Sequence, residues 1–180
     1  MEQVLLISER YLKAFSTIDL NVDTKMIQST IAFAQDLYLM PILGTDLYNQ
    51  LLTQVSGSTL STANDTLLES YIKPCLASYT IYEISDFLVF KFTNKSIEKQ
   101  KSDTSDPISL QELNHLKGKL LVRSQHFGER LTKFLQGNTT TYPLYLNGNS
   151  TIDKYKPFSS NIQSNFYIPN RKGCSWGLGK

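Results

Sequence analysis

Ile27, Ile31, Ala34 and Tyr38 fall at steps of three and four residues, which places them on one face of a helix. Asp23 or Thr24 stands where an N-cap is needed, because its side-chain oxygen can accept from a backbone N–H of the first turn. This helix should stop near Met40, since the residue before Pro41 is pushed out of the helical region. Gly44 then permits a turn, and Thr45 can cap a short helix through Leu47, Leu51 and Leu52.

The same period recurs along the chain. Val4 to Phe15 alternates too irregularly for a strand, and Ser8 followed by Glu9 and Arg10 can start a short helix. Residues 55–64 are rich in Ser, Thr and Gly and read as a surface loop. A long helix is expected from about Asp65 to Phe92. Its apolar residues Leu68, Ile72, Cys75, Tyr79, Tyr82, Phe87, Val89, Phe90 and Phe92 cover more than one face, which suits a central helix. Pro74 should kink it or divide it in two. Residues 93–107 are almost entirely polar and read as an exposed connection. Ser109 with Glu112 three residues on has capping-box spacing, and Leu113, Leu116, Leu120, Phe127, Leu131 and Phe134 carry one face of a last helix to about Leu135. Gly137 ends it.

The expected fold is mainly α: a small helical bundle with a long polar loop and an extended C-terminal tail that has room for a short hairpin. A chain of 180 residues can bury one core, so residues 1–135 are assigned to a helical body and 136–180 to an extended C-terminal arm. The arm combines Pro143, Pro157 and Pro169 with Tyr142, Tyr145, Tyr155, Phe158, Phe166, Tyr167 and Trp176. Aromatic side chains are unfavourable to leave in water, so the arm should be ordered against its own body, a neighbouring copy or another protein. After Gly137 there are five bases (Lys154, Lys156, Arg171, Lys172, Lys180) and one acid (Asp153), a balance of +4, which leaves −2 for the rest of a chain with net charge +2. A basic arm on a slightly acidic body suits an acidic protein surface or nucleic acid. Cys75 and Cys174 make no CxxC pair and no disulfide framework, which favours a reducing compartment. There is no signal-peptide pattern and no apolar run long enough to span a bilayer, so neither export nor a membrane is expected.

The search for chemistry leaves no catalytic, cofactor-binding or metal-binding candidate. His115 and His126 are eleven residues apart, about 16 Å along a helix, too far to share a metal. The C-terminal string GCSWGLGK fails as a phosphate loop because the spacing from Gly173 to Gly179 is wrong and no helix follows Lys180 within the sequence. Ser124, Gln125 and His126 lack the glycines of a nucleophile elbow. Glu83 with Asp86, and Asp103 with Asp106, pair carboxylates without any mark of catalysis. For Glu83 and Asp86 a solvated stripe is expected, with a buried partner for Lys or Arg as the other reading. A helix-turn-helix reading of the Pro41–Gly44 region meets a second helix bearing Asp46, Asn49 and Gln50 but no Lys or Arg, a poor match to DNA phosphates.

The stretch IQSTIAFAQDLYLMPILGTDLYNQLL, Ile27 to Leu52, resembles the signature stretch of the head-tail connector proteins of tailed bacteriophages, particularly the adaptor or ring proteins of crAss-like and related phages. In these a helix ending in an Ala-Gln pair leads through a Pro and Gly turn to a helix starting with a Leu-Tyr pair. Here the features are Ala34-Gln35, Pro41, Gly44 and Leu47-Tyr48. Pro and Gly make a fixed corner, and the aromatic and Leu residues lock two helices across it. The resemblance implies a non-enzymatic structural protein of the virion, made in the host cytoplasm. It implies a ring, dodecameric in the family, that joins the portal protein to the tail and continues the DNA channel without reading sequence. Its partners would be the portal, neighbouring copies of itself and the next tail or stopper component, with no cofactor. The residues expected to contact partners are Tyr155, Phe158, Phe166, Tyr167, Arg171, Lys172 and Trp176, since aromatic and Arg anchors dominate interfaces. The alternative is a small helical cytosolic regulatory or protein-binding module, which would stay small in solution.

Overall fold

The computed structural model describes residues 4–92, 96–99, 108–146 and 157. The fold is mainly α-helical. Helix α1 spans Glu9–Phe15 and is capped by Ser8, whose hydroxyl accepts from Tyr11 N–H. Helix α2 spans Thr24–Ala34 and is capped by Asp23. A π turn, Gln35–Leu39, connects it without a break to the single-turn helix α3, Met40–Leu43. After Gly44 come α4, Thr45–Ser56, and α5, Thr62–Leu67, which a second π turn at Leu68–Ile72 joins to α6, Lys73–Val89. Helix α7, Leu110–Gly137, packs along α6, and α2 lies on another side of α6.

Two expectations about proline are corrected together. The helical backbone begun at Thr24 does not stop at Met40 but runs to Leu43, and the kink or break expected at Pro74 takes the form of a π turn just before it, at Leu68–Ile72. In a π turn the donor reaches one residue further back: Met40 N–H bonds to Gln35 O, and Lys73 N–H bonds to Leu68 O. The extra residue restarts the ladder, so Pro41 and Pro74 fall in the first turn of the segment that follows. There a missing N–H removes no bond, and the ring meets no carbonyl of an unbroken preceding turn. Between α3 and α4 the chain turns sharply at Gly44, where φ is 78°, a left-handed value that a side chain resists. Gly44, not Thr45, is the N-cap of α4, and Thr45 is buried as its first residue.

Other boundaries also move. The loop expected at 55–64 shortens, because α4 runs to Ser56 and Ser61 caps α5 by accepting from Asn64 N–H at 3.2 Å. Asn64 is buried and donates to Gln54 at 2.7 Å, which ties the end of α4 to the start of α5. Helix α6 ends at Val89, not Phe92. Strand β1, Phe90–Phe92, pairs antiparallel with β2, Ile97–Lys99, inside the stretch read as a polar connection; Lys91 sits opposite Glu98. The hairpin allowed for in the C-terminal tail lies outside the described residues.

The core is built from Leu12, Ile27, Ile31, Leu39, Leu43, Leu47, Leu51, Leu67, Ile72, Leu76, Ile84, Leu131 and Leu135, all essentially without exposure. Each such side chain contributes about 1.5–3 kcal/mol by leaving water. The body does not close at residue 135: α7 extends to Gly137, and Tyr142 and Tyr145 enter the same core. Phe134 stacks on Tyr71 with centroids 3.9 Å apart, and Tyr142 leans on Phe134 while its hydroxyl donates to Ala63 O at 2.8 Å. The close approach of α6 and α7 depends on Gly128, where a Cβ would sit 3.2 Å from the Tyr79 hydroxyl and 3.4 Å from Ile42 Cδ1.

Candidate assembly surfaces

The corner residues singled out in the sequence come together, with a division of labour that their spacing does not reveal. Ala34 and Leu47 are buried apolar contacts, and Pro41 and Gly44 shape the backbone. Gln35 and Tyr48 make the joint. Gln35 Nε2 donates to the Tyr48 hydroxyl at 3.0 Å and to Val4 O at 3.0 Å, while Gln35 Oε1 accepts from Leu6 N–H at 2.9 Å. The side-chain amide thus pairs with the N-terminal segment as a peptide group of a neighbouring strand would. Tyr48 in turn donates to Asp36 Oδ1 at 2.6 Å. Burial first, and the hydrogen bond to Asp36 second, hold the Tyr48 phenol well above the ordinary tyrosine range. No buried side-chain polar atom among the described residues lacks a partner, so this network is closed.

A second polar contact locks the first π turn to α6. Tyr38 stacks on Tyr79 with ring centroids 4.3 Å apart, meets Tyr82 edge-on, and donates its hydroxyl to Glu83. Asp86 accepts from Lys117 of α7, whose ammonium lies 4.7 Å from the centre of the Tyr82 ring. Glu83 and Asp86 are therefore not a plain solvated stripe: one is bonded to a phenol, and the other has a Lys partner, though in a half-exposed pair rather than the buried one of the second reading.

The remaining chemical candidates separate. His115 and His126 are both exposed on α7, and the described residues hold no group of three or more His, Cys, Asp or Glu that could bind a metal. Ser124 is fully buried in mid-helix and its hydroxyl donates to Leu120 O at 2.9 Å. Cys75 is buried in the core, where desolvation pushes its thiol up to about 12. On α4, Asn49 is exposed, whereas Leu47, Tyr48 and Leu51 face inward. The pair Asp103 and Asp106, the GCSWGLGK string, and the contact set Tyr155, Phe158, Phe166, Tyr167, Arg171, Lys172 and Trp176 lie outside the described residues.

The structure exposes apolar side chains at one end of the molecule, among them Phe87 and Leu116, which the helical spacing assigns to apolar faces. Helices α6 and α7 run antiparallel, as the pairs Asp86–Lys117 and Tyr71–Phe134 require, so the C-terminal end of α6 and the N-terminal half of α7 share one end of the hairpin. At that end Phe87, Leu88, Leu110, Leu116 and Val122 are all exposed, Leu110 at 61% and Val122 at 67%. Leu113 is buried there, yet it lies apart from the main core cluster. Phe33 near the end of α2 and Leu37 in the π turn that follows are exposed four residues apart, with Asp36 beside them. Phe33, Leu37 and Val122 all fall off the stripes Ile27–Tyr38 and Leu113–Phe134, and that displacement is the signal by which the sequence marks them.

The described residues include no helix long and apolar enough to cross a membrane. No curated protein and no solved structure matches the chain. Residues 39–155 match the model of a family of unknown function, DUF6712; the match takes in Pro41, Gly44, Leu47 and Tyr48 of the corner and all of α3 to α7. Since that range covers well over half of its length, the chain belongs to the DUF6712 family.

Proposed function

We propose that the protein is a non-enzymatic structural component of a phage virion, the head-tail connector ring that joins the portal to the tail and continues the DNA channel. The observation that carries this reading is the set of aliphatic side chains, Leu88, Leu110, Leu116 and Val122, that the described residues leave exposed along the α6–α7 hairpin. Large aliphatic side chains such as Leu110, Leu116 and Val122, exposed on rigid helices, are characteristic of a surface that another protein covers. A ring uses one heterologous interface repeated, so each copy must offer two different surfaces. The hairpin end and the Phe33–Leu37 face, where α2 passes into the first π turn, supply such a pair. Likeness of the Ile27–Leu52 stretch to connector proteins gives the assembly its identity, and the closed Gln35–Tyr48–Asp36 network makes the corner rigid enough to hold a ring angle. In this reading the partners are neighbouring copies, the portal, and the next tail or stopper component. DNA passes through the channel without base contacts. The contact set Tyr155 to Trp176 belongs to the arm that reaches between components.

The test is the mass of the purified protein by light scattering after size exclusion, alone and mixed with a portal protein from the same genome. A large defined ring in either case supports the connector. A folded protein that stays a single chain in both would refute it and favour a small helical protein-binding module. Leu110→Lys with Val122→Lys is expected to abolish the ring and leave helicity unchanged.

A further inference from the structure

A groove of about 570 Å³ runs between the C-terminal end of α4 and the face of α5 that continues into the second π turn. Its lining is mixed: Leu6 and Leu68 form a buried floor, Val55 and Leu60 are half-buried and offer the apolar contact, and Ser58 and Thr62 add polar surface. Its edge carries the carboxylates of Asp65 and Glu69 and one cation, Lys73, a formal balance of −1. Lys73 is already engaged, bonded to Glu69 and lying 5.6 Å from the centre of the Tyr11 ring. Asp65 is exposed and has no side-chain partner among the described residues. A shallow apolar strip at Val55 and Leu60 beside an acidic edge suits a peptide that combines apolar side chains with Lys or Arg.

We infer that this groove docks the chain's own C-terminal segment, Phe166 to Trp176. The segment has the complementary chemistry: Phe166, Tyr167 and Trp176 for the apolar strip, Arg171 and Lys172 for the carboxylates, and no acid between them. It also starts from the right place. Tyr142 bonds to Ala63 O, and Ala63 directly follows Thr62, which lines the groove, so the arm leaves the body on the helix that forms the groove wall. Twenty residues from Leu146 to Phe166 span up to about 65 Å, far more than the return path needs. A tether of this kind presents the segment at roughly millimolar effective concentration, so in the free chain it occupies the groove of its own copy. Only the next step rests on the connector reading: in a ring the same contact, exchanged onto the neighbouring copy, links adjacent subunits.

Trp176 is the single tryptophan, so its fluorescence in the intact chain reports the contact directly. In dilute full-length protein its emission is expected to be blue-shifted and its quenching by acrylamide several-fold weaker than that of free tryptophan amide. The pair Asp65→Lys and Glu69→Lys is expected to raise quenching toward the free value with the circular dichroism unchanged. Thr62→Arg, at an exposed position on the groove wall, provides the same reading if that pair unfolds. The inference is overturned if Trp176 in the wild type is quenched as freely as the amide, or if its protection survives both folded variants. A chain that never forms a ring yet protects Trp176 through the groove refutes the connector and upholds the groove. A ring whose Trp176 is freely quenched does the reverse.

Discussion

The side-chain amide of Gln35 donates to the hydroxyl of Tyr48 at 3.0 Å, across thirteen residues of chain that contain a π turn, a proline and a left-handed glycine. Through that one bond the end of α2 is held to the first turns of α4, and through its other two bonds Gln35 holds the N-terminal segment. Gln35→Ala would leave Leu6 N–H and Val4 O without a partner inside the protein, at a cost of about 2–4 kcal/mol. Tyr48→Phe keeps the ring packing and loses the bonds to Gln35 and Asp36, so it should cost less, about 1–2 kcal/mol. Urea midpoints at unchanged slope measure both, and a Gln35→Ala protein as stable as the wild type would show that the amide is not the joint.

Alkaline pH should attack the same joint. The phenols of Tyr38, Tyr48 and Tyr79 are all raised above the reference value of 10, mainly by burial, with bonds to Glu83 and Asp36 adding to the first two. A raised folded-state pKa means that the native protein holds the proton more tightly than the unfolded chain. The corresponding stability is complete below pH 10 and is lost as pH rises through the raised values. Phenolate absorbance from these three residues should therefore appear only together with loss of helicity. Tyr48→Phe should make the alkaline fall in stability shallower.

Two glycines of α7 should respond oppositely to the same substitution. Around Gly118 nothing lies within 4 Å of an added Cβ, so Gly118→Ala should stabilise by about 0.5–1 kcal/mol through helix propensity alone. At Gly128 the added atom meets the Tyr79 hydroxyl at 3.2 Å, and the Tyr79 side chain must yield by a few tenths of an ångström to admit it. Gly118→Ala should be the more stable of the two by about 1 kcal/mol, readable as a difference in thermal midpoint.

Lys117 should matter more than the carboxylate it bonds. Its partner Asp86 keeps 41% of its side chain in water, so Asp86→Asn should cost under about 1 kcal/mol, and salt should remove most of that. Lys117→Ala also loses the contact over the Tyr82 ring, adding about 0.5–1 kcal/mol that salt does not screen as fully. Denaturation of both variants at low and high ionic strength separates the two contributions.

The thiol of Cys75 should be silent in the native state. It is fully buried and its pKa is pushed up to about 12, so the reactive thiolate is scarce and no reagent reaches it. In a Cys174→Ser background, a disulfide reagent should label no thiol until denaturant is added; rapid labelling of folded protein would mean that the core opens at α6.

Whatever depends on neighbours within one turn was legible in the sequence. The Ser109–Glu112 capping box forms with both of its bonds, Ser8 and Asp23 cap their helices, and the stripe Ile27–Ile31–Ala34 is buried, because a cap or a helix face is set by residues three or four apart. The Pro-Gly corner was legible as a corner, though not as a hydrogen-bonded joint. What Gln35 bonds to depends on where Leu6, lying 29 residues away in sequence, is brought by the collapse of the core. The π turns were not legible, since one residue added to a turn leaves the apolar spacing almost unchanged and only the backbone bonds reveal it. Helical class, caps and the main faces were thus settled by the chain's own local chemistry. The continuity through Pro41 and Pro74, the N-terminal latch on Gln35, and the side chains left uncovered at the end of α6 and α7 were decided only by tertiary packing, because burial and long-range hydrogen bonding belong to pairs of segments and not to either segment alone.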